Sequence, residues 1–393
     1  MAGFFPIYFK QYWAASLSSQ QSTYQLGLAN SVASLIIVLI APVAGSIADQ
    51  AGYRKRFLLF FTYLGLMMCA ALYLVAYNNW QLAIMLYIVA TIGFSGGVCF
   101  SDSLLLAVAE KNRLDIVSAF GYALGYLGGG LLFALCVWLA RSPEVFGLTD
   151  TNEAVRLSFV LVAAWWALFS IPVFVFVRES PALSGGLRGV KVVTAGLAQL
   201  LQTFRNIRQY RVVFTFLIAY WLYIDGVDTI VRMAVDYGLA LKLDSSDLIL
   251  ALLMTQFIGF PAAIAFGRLG EWIGPKAGIQ VALAVYILVV FWAYQMETAR
   301  EFYVLAVLIG LVQGGIQSLS RSLYARLIPQ EQTAEFFGFY NMLGKFAAVL
   351  GPVLVGWMAI VTDSHRHAML SIVILFVAGW VILRRVKLGT LDS

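Results

Sequence analysis

The chain has 393 residues, of which 61% are hydrophobic and 12% charged, with a formal net charge of +6. Water-soluble domains carry about 25% charged residues, so a soluble globular domain is excluded. The basic residues fall in short segments between apolar runs, which removes nucleic acid as the partner their charge would otherwise suggest.

Apolar runs of about 18 residues or more recur along the chain, each long enough to cross a bilayer. They are continuous rather than alternating, which fits spanning helices and not a barrel. The fold class is an all-α membrane protein. The first run, Met1 to Phe9, reaches only about 13 Å as a helix, against a hydrocarbon core of roughly 30 Å. Extending it to Trp13 or Leu17 leaves it short, and it lacks the basic start of a signal peptide. An incomplete first span is therefore expected. Further spans are predicted at about 24–48, 57–77, 80–109, 117–140, 154–178, 209–238, 246–267, 277–296, 302–328, 335–361 and 367–386. With the first fragment these make twelve.

Of the 26 Lys and Arg residues, 17 fall on one side: Arg54, Lys55, Arg56, Lys111, Arg113, Arg178, Arg188, Lys191, Arg205, Arg208, Arg211, Arg268, Lys276, Arg326, Arg384, Arg385 and Lys387. Lys10, Arg141, Arg156, Lys242, Arg300 and Arg366 fall on the other, and Arg232, Arg321 and Lys345 inside spans. The positive-inside rule makes the richer side cytoplasmic, together with the C-terminus and the middle loop. That loop, about 179–208, opens Glu179-Ser180-Pro181 and contains Ser184-Gly185-Gly186. It then reads as an amphipathic helix, with Val193, Leu197, Leu200, Leu201 and Phe204 on one face and Arg205 and Arg208 at its polar end. Such a helix lies on the inner leaflet.

The loop divides the chain into an N-terminal six-span bundle (1–178) and a C-terminal one (209–393). A repeat supports the division. Gly45-x-x-x-Asp49-x-x-Gly52 ends the second span, and Gly267-x-x-x-Glu271-x-x-Gly274 ends the eighth, its counterpart in the second half. Leu124-Gly125 and Leu343-Gly344 echo each other at nearly the same offset. A duplicated bundle places its site near the midplane, between the halves.

The seventh span carries Asp225, Asp228, Arg232 and Asp236, spaced to share one helix face. A charge at the centre of a spanning helix costs roughly 2.5–3.5 kcal/mol or more, so this stripe faces protein or a wet cavity. It serves either function, with Asp225 and Asp228 as proton-coupling candidates, or an interhelical ion-pair network; Asp236, nearest the membrane surface, suits the second. In the tenth span Gln313, Gln317 and Arg321 share a face. The guanidinium could grip a substrate carboxylate bidentately, or pair with Asp225 or Asp228. Lys345 and Asn341 share a face of the eleventh span. Lys345 could bind substrate or pair with Asp102 or Glu335; Asp102 could carry a proton or be salt-bridged to Lys345 or Arg321. The small-residue stripe Gly121, Gly125, Gly128, Gly129 allows close helix approach. Gly338 to Lys345 imitates a phosphate loop, but it lies in a spanning helix and has Phe346 where Ser or Thr is needed. Cys69, Cys99 and Cys136 fall in apolar runs, and the two histidines, His365 and His367, share one loop. No cofactor or metal is expected.

Gly45-x-x-x-Asp49-x-x-Gly52-Tyr53-Arg54-Lys55-Arg56 resembles the loop signature of the major facilitator superfamily, with Tyr53 as a departure from its usual basic residue. The acid and the basic run can form a cytoplasmic gate. Longer stretches resemble one branch, the vacuole-effluxer-like group: Phe120 to Gly130, Gly314 to Pro329, Glu335 to Lys345, and Asp225 to Met233. The resemblance covers nearly the whole chain. It implies a major facilitator fold of two six-helix bundles and a transporter, with amino-acid efflux as the activity of a distant member. Members carry a Tyr-Asp-Trp-Ala-Asn-like segment upstream of Gly3-Phe4-Phe5-Pro6, so Met1 resembles an internal methionine of the first span. The spacing of Gly121, Gly125 and Gly128 resembles an antiporter motif but lacks its proline.

The sequence therefore leads to a secondary or facilitative transporter, monomeric, multi-pass in the inner membrane, moving amino acids or similar solutes outward, with proton coupling open. The rival readings are a proton-coupled exporter of drug-like molecules and a sensor or scaffold that has lost transport. An enzyme is not expected, because no nucleophile and base stand together.

Overall fold

A computed structural model describes residues 4–179, 190–206, 209–240, 244–346, 350–362 and 365–386. Ser180, Pro181, Ser184, Gly185, Gly186, Arg188, Arg208, Lys242 and Lys387 lie outside these residues, as do the side chains of Arg232 and Asp236. The helices are α1 (Phe4–Tyr8), α2 (Ser19–Ala51), α3 (Arg54–Ala71), α4 (Trp80–Ser103), α5 (Leu105–Val108), α6 (Leu114–Arg141), α7 (Thr151–Phe176) and α8 (Val190–Arg205). They continue as α9 (Arg211–Ala240), α10 (Ser245–Ile273), α11 (Pro275–Gln295), α12 (Ala299–Leu327), α13 (Thr333–Phe346), α14 (Leu350–Thr362), α15 (His365–Leu370) and α16 (Ile372–Arg385). Ten helical segments among the described residues are long and apolar enough to cross a membrane. Of the expected twelve spans, the first is the short α1 with a π-helical turn, Phe9–Trp13. The eleventh is the pair α13 and α14, on either side of residues 347–349.

Local signals set the helix starts. Ser18 and Gln21 form a capping box at α2, and Thr298 and Glu301 form another at α12. Asn79 caps α4 and Asp150 caps α7 through side-chain oxygens. Each satisfies an amide that the first helical turn leaves without a partner. Both copies of the glycine repeat stop their helices at a glycine of positive φ: Gly52 closes α2 at φ +67°, and Gly274 closes α10 at φ +86°. Positive φ costs glycine nothing, which is why the motif ends on that residue.

The chain forms two compact units. One holds residues 1–108, 131–200 and 331–342, and the other 109–130, 201–330 and 343–393. The cut passes through helices, so the start of α6 belongs to the second unit and the start of α13 to the first. In the first unit, Phe5, Phe9, Trp13 and Phe159 stack together, and Trp13 Nε1 donates to the Val75 carbonyl at 3.2 Å. The second unit packs α10 on α12 through Gly310, Gly314 and Gly315, and seats Phe376 against Tyr286 and Gly226.

The duplication also appears where the sequence did not announce it. Lys55 Nζ, at the start of α3, donates to the carbonyls of Phe174 and Val177 at 2.8 and 2.7 Å, at the end of α7. Lys276 Nζ, at the start of α11, donates to those of Arg384 and Val386 at 3.0 and 2.7 Å, at the end of α16. Each ammonium meets carbonyls that a helix C-terminus leaves open, at the negative end of its dipole. Replacing Lys276 with Met should lower stability in detergent by about 1–3 kcal/mol, read as a lower midpoint of thermal unfolding. An unchanged midpoint would show that water serves those carbonyls equally well.

Candidate functional site

In the first unit the polar groups gather at the end of α2. Asp49 is 2% exposed. Its Oδ1 accepts from Arg54 Nε at 2.7 Å and from the Ala334 amide at 3.1 Å, and its Oδ2 accepts from the Glu335 amide at 2.9 Å. Ala334 and Glu335 stand in the first turn of α13, where amides have no helical acceptor and the dipole favours an anion. Glycines permit the approach: a Cβ on Gly45 would fall on the Ala334 backbone, and one on Gly338 on that of Pro42. Arg54 also donates to the Glu331 carbonyl at 3.1 Å. Arg56 lies over the Tyr53 ring at 4.2 Å, which gives that departure from the usual motif a role. The Glu335 carboxylate, fully buried, accepts from Gln199 Nε2 of α8 at 2.5 Å. Asp102, 4% exposed, accepts from Asn341 Nδ2 at 3.4 Å in the same unit.

The second copy of the glycine motif is built differently. Glu271 is exposed, whereas Gly267 and Gly270 press on the first turns of α6, at Ile116, Ala119 and Asp115. Asp115, 1% exposed, accepts from Ser322 Oγ at 2.5 Å and Arg326 Nη2 at 2.9 Å. Sequence reading missed Asp115. The signal was its separation from Glu335, which nearly matches the interval between the two glycine motifs.

The charged stripe of α9 lies in the second unit. Asp225 is fully buried; its Oδ2 accepts from the Leu350 amide at 3.0 Å, and its Oδ1 from the Gly351 amide at 2.8 Å and Thr229 Oγ1 at 3.3 Å. The Leu350 and Gly351 amides of α14 thus rest on this carboxylate, and a Cβ at Gly351 would collide with Thr229 and Asp225. These donors, and not Arg321, are the partners of Asp225. Asp228 is half-buried, within electrostatic reach of Asp225, Tyr126 and Tyr286.

Arg321 is held by α6. Its Nε donates to Ser118 Oγ and its Nη2 to the Ser118 carbonyl, both at 2.9 Å, and its Cζ lies 4.7 Å over the Tyr122 ring. One turn away on α12, Gln317 Oε1 accepts from Tyr126 OH at 3.0 Å, and Ser320 shares a 2.7 Å hydrogen bond with Tyr223. Ser118, Tyr122 and Tyr126 escaped sequence reading, since hydroxyls and phenols in an apolar run look like ordinary span residues. They flank the glycine stripe of α6. There, a Cβ on Gly121 would meet Arg321 Nη2 and one on Gly129 would meet Gln256, whereas at Gly125 it would meet nothing within 4 Å. Gly128 lies half-buried. Lys345 is half-buried in the last turn of α13.

Residues 18–390 match the family described as "Vacuole effluxer Atg22 like". The chain belongs to that family, an Atg22-like branch of the major facilitator superfamily. It is 40% identical to the MFS-type transporter YxiO of Bacillus subtilis over 96% of this chain and 88% of that protein. It is 28% identical to Autophagy-related protein 22 of Yarrowia lipolytica over 66% of this chain and 48% of that protein. In fold it is similar to the human organic anion transporter MFSD10 (TM-score 0.67, 16% identity, 96% of this chain and 88% of that one). It is also similar to the proton:xylose symporter XylE (TM-score 0.72, 13% identity, 97% and 90%). This Atg22-like chain is thus a multi-pass integral membrane protein of a transporter family, and its relatives are transporters rather than enzymes.

The Asp49 cluster carries a stability prediction. Arg54→Ala strands a buried carboxylate and should cost about 3–5 kcal/mol in thermal unfolding. The double variant with Asp49→Asn should recover part of that loss; no recovery would mean that Arg54 acts through other contacts.

Proposed function

We propose that the chain is a secondary transporter that exports small carboxylate-bearing solutes, amino acids or similar zwitterions, by alternating access of two six-span bundles. The central loop and C-terminus face the cytoplasm, on the strength of the distribution of Lys and Arg. The observation that carries the substrate class is Arg321. Ser118 and Tyr122 set the plane of its guanidinium, and a planar fork set in advance is what bidentate recognition of a carboxylate needs. Gln317 with Tyr126, and Ser320 with Tyr223, add neutral donors and acceptors on neighbouring helices of the same unit, suited to an uncharged part of a solute. Asp228, beside Asp225 and two tyrosines, is the proton carrier in this reading.

The test is counterflow and uptake of labelled amino acids in proteoliposomes. Arg321→Ala should raise the half-saturating concentration about tenfold or more, the worth of a charge-assisted contact. Arg321→Lys should recover only part, since it keeps the charge and loses the fork. Ser118→Ala should weaken transport in the same direction as Arg321→Lys. No amino-acid flux through the folded parent would contradict the substrate class. In a second measurement, Asp228→Asn should keep exchange while losing its response to a pH gradient; an unaltered response would remove Asp228 as carrier.

A further inference from the structure

The helix α8 between the two halves presents two unlike faces. Val192, Gly196, Gln199 and Thr203, at helical spacing, are buried. This face is bolted to the gate residues of the first unit. Ser46 Oγ donates to the Gly196 carbonyl at 2.7 Å, Gln50 hydrogen-bonds to Gln199, and Gln199 donates to the buried carboxylate of Glu335 at 2.5 Å. Gly196 lies so close to α2 that a Cβ there would press on the Ile47 backbone. The other face carries Val190, Val193, Leu197, Leu201 and Phe204, exposed by 78, 41, 42, 58 and 50%.

The repeat makes the role of this contact visible. Asp115 and Glu335 are acids at matching places in the two halves, in the first turns of α6 and α13. Asp115 is met by a guanidinium, Arg326, carried on the spanning helix α12. Glu335 is met by a carboxamide on α8, a helix that belongs to the linker and has no place in the repeat. The first gate thus depends on a segment from outside the repeat.

That segment has a definite chemistry. The sequence of α8 holds Lys191 and Arg205, both exposed, and no acidic residue. It stands between α7 and α9 in the chain, so both its ends are tied to spanning helices. An apolar stripe flanked by basic residues, tethered at the end of a membrane bundle, matches an anionic bilayer surface. We propose that α8 is a lipid-seated clasp: its apolar stripe lies in an anionic leaflet, and this seat holds Gln199 on Glu335 and keeps the α13 amides on Asp49. The inference rests on the membrane location and not on the substrate class.

The test is amide hydrogen exchange by mass spectrometry on the full chain in vesicles, followed in the peptide covering residues 331–340. It needs no substrate, so its failure is distinct from failure of the transport reading. Gln199→Ala should speed exchange at Ala334 and Glu335 about tenfold, as loss of a hydrogen bond to a charged group implies. Leu197→Glu with Leu201→Glu should do the same by lifting the helix from lipid. The unaltered chain should exchange there about threefold or more slowly in vesicles containing phosphatidylglycerol than in phosphatidylcholine alone. That comparison needs no variant, so it stands even where a variant does not fold. Unchanged exchange in Gln199→Ala would overturn the clasp. Exchange indifferent both to the glutamates and to the lipid would overturn the lipid seat.

Discussion

Helix ends buried away from water must find partners within the protein. In this chain two pairs of buried backbone amides are met by carboxylates. Asp49 takes the first-turn amides of α13, and Asp225 takes the Leu350 and Gly351 amides of α14. Much else follows from these two placements. A buried carboxylate needs several donors, so Arg54 joins Asp49 and Thr229 joins Asp225. Donors on a backbone can reach it only where backbones come close, so Gly45, Gly338 and Gly351 stand where any side chain would collide.

The duplication is a set of shared devices rather than a copied site. Gly52 and Gly274 end their helices at positive φ, and Lys55 and Lys276 each hold the last carbonyls of another helix. The acids have diverged. Asp49 is buried and bonded where its counterpart Glu271 is exposed, and Asp115 meets an arginine where Glu335 meets a glutamine. The central linker helix α8 enters at Glu335.

Most of the helices could be read from the sequence because long apolar runs leave few alternatives in a membrane. The Gly45 to Arg56 motif was legible because its glycines, acid and basic run are contiguous. The partners of buried groups were not, because they come from distant segments and from residue types without a signature. Asp225 read as a proton-coupling candidate or an ion-pair partner, and nothing local told that Leu350 and Gly351 would present amides to it. Ser118 and Tyr122 looked like filler until Arg321 was seen resting on them. Leu200 read as part of the apolar face of α8, yet it is 9% exposed while Leu197 and Leu201 face outward. A run of leucines does not say which of them the protein will cover.

The most direct measurement is hydrogen exchange at Leu350 and Gly351 in the parent and in Asp225→Asn. If the carboxylate anchors α14, the neutral amide should speed exchange at those two amides by about tenfold, while the middle of α9 keeps its protection. Equal protection in both proteins would contradict the anchoring role and return Asp225 to the groups free to carry a proton.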